Sequence, residues 1–208
     1  MKTAGLITVA GQSSRMGSFK PLLPISGKPM IAHTADVFRK AGVADLFVVV
    51  GKNGEDVIRA LDGCDARFVW NTAYDSTEMF ASVQLGLDAI LRTGGFGGAF
   101  LLPGDMPAVP PRVLRTLMET LEVHGYDVVF PSDGTRRLHP PLIRADCFQA
   151  LVNYAGGDGL RGAFRELGGR VGYVIVGESG CEIDVDTPDD YARVCAFLEN
   201  REGEGAPT

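Results

Sequence analysis

Apolar residues fall in short solid runs, and the stretches between those runs are periodic. Residues 5–10 (GLITVA) are apolar and β-branched at their centre, the pattern of a buried strand. The pattern returns at residues 46–50 (LFVVV), 67–70, 99–102 (AFLL), 127–130 (DVVF) and 171–176. Runs apolar on both faces belong to a parallel sheet covered by helices on each side. Between the runs the period changes. In residues 29–41, Ile31, Ala35 and Phe38 recur at steps of four and three. Pro29 is expected in the first turn, where a missing N–H leaves nothing unsatisfied, and Gly42 is expected to end that helix. Residues 79–91 place Val83, Leu87, Ile90 and Leu91 on one side, and residues 111–123 do the same with Val113, Leu114, Leu117, Met118 and Leu121. A last helix over residues 188–198 has Thr187 as N-cap and Asp189 and Asp190 in its electropositive first turn.

Alternating strand and helix predicts a three-layer α/β/α sandwich, doubly wound around a mostly parallel sheet. In such sheets ligands sit outside the carboxyl ends of the strands, so the loops that follow the strands are where chemistry is expected. One domain is expected over residues 1–200, with 201–208 (REGEGAPT) as a flexible polar tail.

Composition narrows the function. Of 208 residues, 45% are hydrophobic and 22% charged, which suits one domain with a real core. The net charge of −6 argues against a nucleic-acid partner, which demands a basic surface. A few cations converging in one cleft can still hold an anionic ligand. Cys64, Cys147, Cys181 and Cys195 form no CxxC pair, so a zinc or redox motif is not expected, and the spacing fits free thiols in a reducing compartment. With no long apolar stretch and no leader-like start, the expectation is a cytoplasmic protein without a membrane partner.

The loop after the first strand reads Ala10-Gly11-Gln12-Ser13-Ser14-Arg15-Met16-Gly17-Ser18-Phe19-Lys20. Its two glycines let backbone N–H groups approach an anion closely. Ser13 and Ser14 add hydroxyls, Arg15 and Lys20 add two cations, and no acidic residue is present. In an acidic chain this asymmetry points to a bound anion. The spacing matches neither a Walker loop nor a dinucleotide fingerprint. A surface turn with two solvated cations is the plain alternative.

Acidic residues gather at two other places. Leu101 to Pro107 (LLPGDMP) ends an apolar run, so Asp105 is expected to project into the ligand crevice, with Gly104 shaping the turn. A turn or capping role is its plain alternative. Glu182-Ile183-Asp184-Val185-Asp186 alternates, and as a strand it would set its carboxylates on one face and Ile183 and Val185 on the other. Like charges side by side ask for a cation. Two carboxylates from distant strands and two cations from one loop make a coherent Mg²⁺–phosphate site. His139, in a Leu-His-Pro-Pro loop, is either a turn residue or a substrate contact. His33 and His124 lie within or beside helices and are read as structural or solvated.

These strings carry a family resemblance. The first loop, with the following PLLP and GKPM, resembles the LAAGxSxRMGxxK signature of the molybdenum cofactor cytidylyltransferase-like nucleotidyltransferases. The segment at Asp105 resembles that family's GDMP motif, and residues 184–190 (DVDTPDD) are similar to another of its motifs. Looser likenesses join Asn71, Met79, Ser82 and Gly86 to its N…GMxxSLxxG stretch, residues 139–143 to GHPxLI, and residues 157–162 to GDxGxR. Glu78 and Leu138 stand where that family has glycine. The likeness runs from Leu6 to about Leu198.

The resemblance implies a Rossmann-like sheet of the nucleotide-diphospho-sugar transferase type, a nucleoside triphosphate on the first loop, and pyrophosphate as leaving group. Ala10, Gly11, Gln12, Ser13, Ser14, Arg15, Met16, Gly17, Lys20, Ser82 and Gly104 would hold the nucleotide. Arg15, Lys20 and Asp105 would be catalytic, Asp105, Asp184 and Asp186 would carry Mg²⁺, and His139, Asp158 and Arg161 would meet the acceptor. Ala10 before Gly11 follows the cytidylyl branch, so CTP and molybdopterin are the implied substrates. A transient contact with a molybdoenzyme or its chaperone is implied as well, with a monomer or weak dimer expected. Guanylyl transfer to molybdopterin, transfer to a sugar or alditol phosphate, and a non-catalytic nucleotide sensor are the alternatives.

Overall fold

A computed structural model describes residues 1–10, 19–177 and 179–204. In chain order its first half holds β1 (Thr3–Val9), β2 (Pro24–Ile25), β3 (Lys28–Pro29), α1 (Met30–Ala41), β4 (Asp45–Val50), α2 (Gly54–Ala60), β5 (Ala66–Trp70), α3 (Met79–Thr93) and β6 (Gly98–Pro103). The second half holds α4 (Pro111–His124), β7 (Val128–Ser132), β8 (Leu142–Arg144), α5 (Phe148–Asn153), α6 (Gly159–Leu167), β9 (Val171–Ile175) and α7 (Pro188–Glu204). Seven strands form one sheet in the order β5-β4-β1-β6-β8-β7-β9. All neighbours are parallel except β8, which runs antiparallel to β6 and β7. The predicted α/β/α sandwich is therefore the observed architecture.

Every residue of β1 is buried, and the pleat sends successive side chains to opposite faces. Ile7 and Val9 pack with Ile31, Phe38, Val57, Leu114 and Leu117, so α1, α2 and α4 cover one face. Leu6 packs with Val83, Leu87, Ile90, Phe148 and Ala163, so α3, α5 and α6 cover the other. A third, smaller cluster of Ile25, Met30, Ala108, Ile183, Val185 and Val194 joins the β2–β3 hairpin to α7.

Helix ends follow local chemistry. Gly42, at φ 87°, closes α1, its N–H donating to the Arg39 and Phe38 carbonyls. Pro29 does not enter the first turn as expected. It pairs with Pro24 in the hairpin and serves as the N-cap residue, and α1 begins at Met30. Thr187 and Asp190 cap α7 reciprocally: the Thr187 N–H donates to the Asp190 carboxylate at 3.0 Å, and the Asp190 N–H donates to the Thr187 hydroxyl at 3.2 Å. The helix then runs through Glu204, into the segment expected as a tail. The four cysteines are free thiols. Among the described residues no helix is long and apolar enough to cross a membrane.

Gly86 shows how tightly α3 lies on the sheet, because a Cβ there would sit 2.3 Å from Leu6 Cδ1 and 3.0 Å from Leu6 Cγ. Leu6 is fully buried and has no room to retreat. Gly86→Ala is expected to destabilise the protein by about 1–3 kcal/mol through overpacking. An unchanged urea midpoint in equilibrium unfolding would refute this packing.

Candidate active site

The sheet has its switch point at β1 and β6. The chain moves outward from β1 through β4 and β5, then returns to place β6 on the other side of β1. Thr8 and Pro103 stand side by side at the carboxyl ends of this pair. Such a point leaves a crevice between diverging loops.

Asp105 enters this crevice from the end of β6 on a tightly held turn. The Gly104 N–H donates to the Thr8 carbonyl at 3.1 Å. A Cβ at Gly104 would lie 2.8 Å from Val9 Cγ1, so glycine is what allows the turn to press against β1. From α1, the fully buried Thr34 donates its hydroxyl to the Gly104 carbonyl at 3.0 Å. On the far side the Val185 N–H donates to the Asp105 carbonyl at 3.2 Å.

Residues 182–186 are not the strand that their alternation predicts. No ladder partner holds them, and they run as an extended loop between a short 3₁₀ turn at Ser179–Cys181 and α7. The alternation is nevertheless obeyed. Ile183 and Val185 sink into the third apolar cluster, and Glu182, Asp184 and Asp186 are left on the more open side. Burial of two alternate side chains does here what a sheet register does elsewhere.

Lys20 meets these carboxylates. It opens a 3₁₀ turn, Lys20–Leu22, whose backbone closes through Leu23 N–H to the Lys20 carbonyl at 3.0 Å. Its Nζ lies 2.6 Å from Asp186 Oδ1 and 3.8 Å from Asp105 Oδ2, and the residue is only 7% exposed. A buried ammonium is tolerated when it is paired, and here it is paired twice. Burial raises the Asp105 carboxyl above its ordinary range. The Lys20 charge pulls it back down, and the charges of Asp184 and Asp186 push it further up.

Among the described residues, the two carboxylates at the Lys20 ammonium and the charge of Asp184 beside Asp105 leave a surplus of hard oxygen donors. Among the described residues no three His, Cys, Asp or Glu side chains are gathered into a metal cage. Magnesium and similar ions need only one or two protein carboxylates when phosphates and water complete the shell. The donor chemistry at Asp105, Asp184 and Asp186 fits such an ion.

Two clefts meet at Asp105. One, of about 170 Å³, is lined by Thr8, Ala10, Lys20, Thr77, Glu78, Ser82 and Gly104 as well as Asp105. Ser82 is buried, and Asn71 Nδ2 donates to its hydroxyl at 3.0 Å and to the Thr77 hydroxyl at 3.2 Å. The second cleft, of about 330 Å³, brings Asp105 together with His139, Asp184, Arg136 and Arg137. Among the described residues the His139 Nδ1 is buried without a hydrogen-bond partner. Burial pushes this imidazole down, against the upward influence of the Leu101 backbone and the Asp184 charge. His33, by contrast, is structural, its Nε2 lying 2.9 Å from the Ile25 carbonyl oxygen.

The sequence-predicted residues thus divide. Ala10, Lys20, Ser82, Gly104, Asp105, His139 and Asp184 line the two clefts, and Asp186 reaches them through Lys20. Asp158 is not among the residues lining either cleft. It is exposed at the start of α6, where it pairs with Arg165 instead of capping the helix with its side chain. Arg161 lines a separate, adjoining cavity. Gly11, Gln12, Ser13, Ser14, Arg15, Met16 and Gly17 lie outside the described residues. Sequence reasoning missed Thr77 and the pair Arg136-Arg137. For the arginines a signal existed, since two adjacent cations precede the Leu-His-Pro-Pro string.

The likenesses of this chain to known proteins agree with that geometry. The model of one family, the MobA-like NTP transferase domain, matches residues 5–171. The bifunctional protein GlmU of Thermus thermophilus is 36% identical over 118 residues, 55% of this chain and 25% of that protein. The chain spans about a quarter of the length of the curated relatives it matches. Among solved structures, a nucleotidyl transferase from Methanothermobacter superimposes with a TM-score of 0.80 at 26% identity, covering 95% of this chain and 98% of that one. Rv0371c from Mycobacterium tuberculosis does so with a TM-score of 0.78 at 27% identity, covering 94% and 99%, and it has also been solved in complex with manganese.

The raised carboxyl of Asp105 has a consequence for stability. A folded-state pKa above the ordinary 3.8 means that the native protein binds this proton more tightly than the unfolded chain does. The associated stability is complete below about pH 3.8 and is lost as pH rises through the folded-state value. Asp105→Asn, which removes the charge at similar shape, is therefore expected to raise the urea midpoint near pH 7, with a gain that shrinks towards pH 4. A midpoint equal to or below that of the wild type near pH 7 would contradict this.

Proposed function

The chain belongs to the MobA-like NTP transferase domain family, and on that premise we propose that it moves CMP from CTP to the phosphate of the molybdopterin cofactor, releasing pyrophosphate with Mg²⁺ as its metal. The observation that carries the nucleotidyl-transfer reading is the Lys20 ammonium, set between Asp186 and Asp105 where β1 and β6 end. It is the arrangement expected where a triphosphate and its metal meet.

In the proposed reaction an oxygen of the acceptor phosphate bonds to the α-phosphorus of the nucleotide. The bond from that phosphorus to the bridging oxygen breaks, and its electron pair leaves with pyrophosphate. The acceptor phosphate is already anionic at neutral pH, so no base has to remove a proton. Lys20 donates hydrogen bonds to phosphate oxygens as negative charge shifts towards the leaving group. Its burial makes that charge worth more than it would be in water. Mg²⁺, when bound, neutralises phosphate charge and acts as a Lewis acid. Asp105 and Asp184, which line one cleft, are the proposed ligands, with Asp186 retained on Lys20. That Rv0371c has been solved in complex with manganese supports the use of a divalent ion. His139, whose Nδ1 is unpartnered, orients the acceptor, and Ser82, fixed by Asn71, contacts the nucleotide. Residues 11–17 as a phosphate cradle, and CTP as donor, rest on the sequence strings around Ala10 and Gly11.

A second reading keeps the chemistry and changes the acceptor to a sugar or alditol phosphate. Glu78 and Leu138, which replace glycines, favour it, because Glu78 lines the first cleft and Leu138 the second.

Two experiments test this. Pyrophosphate release assayed with each of the four nucleoside triphosphates, with and without molybdopterin, should be fastest with CTP and should require molybdopterin. Release that instead depends on a sugar phosphate would move the assignment to the second reading, and no release with any pair would remove it. In the active combination Asp105→Ala should abolish turnover, and Lys20→Ala should lower kcat by about two to three powers of ten. A loss of only a few-fold in kcat would reduce Lys20 to a structural ion pair.

A further inference from the structure

Four arginines converge on one side of the second cleft. An open cavity of about 700 Å³ is lined by Arg136, Arg137, Arg161, Phe164 and Arg165, and two of these, Arg136 and Arg137, also line the cleft that holds Asp105 and His139. The two spaces therefore share a wall of Arg136 and Arg137, with carboxylates on one side of it and further arginines on the other. This concentration stands out in a chain with a net charge of −6.

The arginines are not equivalent. Arg136 is bound to Asp133 and Glu182, and Arg165 to Asp158. Arg137 and Arg161 have no carboxylate partner among the described residues. Arg137 is nevertheless held in place. Its Nε donates to the Tyr173 hydroxyl at 3.2 Å, and its guanidinium carbon lies 4.8 Å from the Phe130 ring centroid and 5.7 Å from that of Tyr173. One edge of the fork is fixed, and its terminal nitrogens remain as donors in a geometry matched to phosphate or carboxylate oxygens. Arg161 and Arg165 lie four residues apart on α6, where like charges repel. Phe164 between them packs edge-on against Phe130, the same ring that carries Arg137. The Phe130 ring thus sets Arg137 and the α6 arginines on a common apolar support, with the charge of Arg165 already met by Asp158.

We infer that Arg137 and Arg161 form a second anion subsite, which holds an anionic group of the acceptor remote from the phosphate that reacts at Asp105. This rests on the transferase reading for the identity of the ligand as acceptor. It narrows the acceptor to molecules with two separated anionic groups, the reacting phosphate and a second phosphate, carboxylate or comparable anion.

Calorimetric titration tests this with two small probes, glycerol 3-phosphate, which has one anionic group, and 3-phosphoglycerate, which has two. The wild type should bind 3-phosphoglycerate about tenfold more tightly. Arg137→Ala with Arg161→Ala should erase that preference, and Arg137→Lys, which keeps charge without the stacked fork, should retain only part of it. Circular dichroism and urea midpoints confirm that the variants fold. Equal affinity of the wild type for both probes, or a preference that survives the double substitution, would overturn the subsite. Titration of each of the four nucleoside triphosphates into the wild type distinguishes the two proposals. Binding of none of them, with the anion preference intact, would remove the transferase reading and leave the arginine subsite standing.

Discussion

The molecule is organised around one buried ammonium. Lys20 could not lose its hydration without partners, because an unpaired charge in a protein interior costs several kcal/mol. Its partners come from segments distant in sequence: Asp186 is 166 residues away and Asp105 stands at the end of a different strand. The 3₁₀ turn at Lys20–Leu22, the β6 turn and the loop before α7 must therefore all arrive at one point. Each is held there by means other than the ion pair. Gly104 and Thr34 fix the β6 turn against β1 and α1. The third apolar cluster fixes the loop before α7, and the Tyr191 hydroxyl, donating to the Pro24 carbonyl, ties α7 to the segment that carries Lys20.

That division of labour has a physical logic. Ion pairs of buried groups are weak sources of net stability, because desolvation offsets attraction. Apolar burial and backbone hydrogen bonds supply the folding energy here, and they position charges that by themselves would repel. Asp105 shows the strain of this arrangement, since burial and two neighbouring carboxylates raise its carboxyl while Lys20 and a backbone hydrogen bond oppose them. Among the described residues carboxylates outnumber cations at this point, a donor set that suits a hard cation.

Much of this was legible in the chain because the sheet speaks through unbroken apolar runs. β1, β4 and β6 are buried on both faces, and such runs have few other readings. β8 was not legible: it has three residues, follows Pro140 and Pro141, and owes its place to β6 and β7 rather than to its own pattern. α5 and α6 escaped notice for a related reason, since both are short, α6 begins at Gly159 and is closed by Gly168, and their packing partners lie on other elements. For residues 182–186 the alternation gave the correct facing and the wrong element, because period two requires only an extended backbone and says nothing about a ladder. Lys20 and Asp105 could be singled out from their motifs. Their distance could not, nor could the stacking of Arg137 on Phe130 and Tyr173, which joins β7, β9 and the turn before β8.

The most consequential geometric fact is that the two clefts share Asp105. One cleft offers hydroxyls, Lys20 and the end of β1. The other offers an unpartnered imidazole nitrogen and a wall of guanidinium groups. Ligands in these two spaces would both border Asp105. Direct transfer between two bound ligands needs such a meeting point, with charge of both signs already in place. The groups gathered there, Asp105, Asp184 and Lys20, are of the kind that can hold phosphates and a hard cation in register.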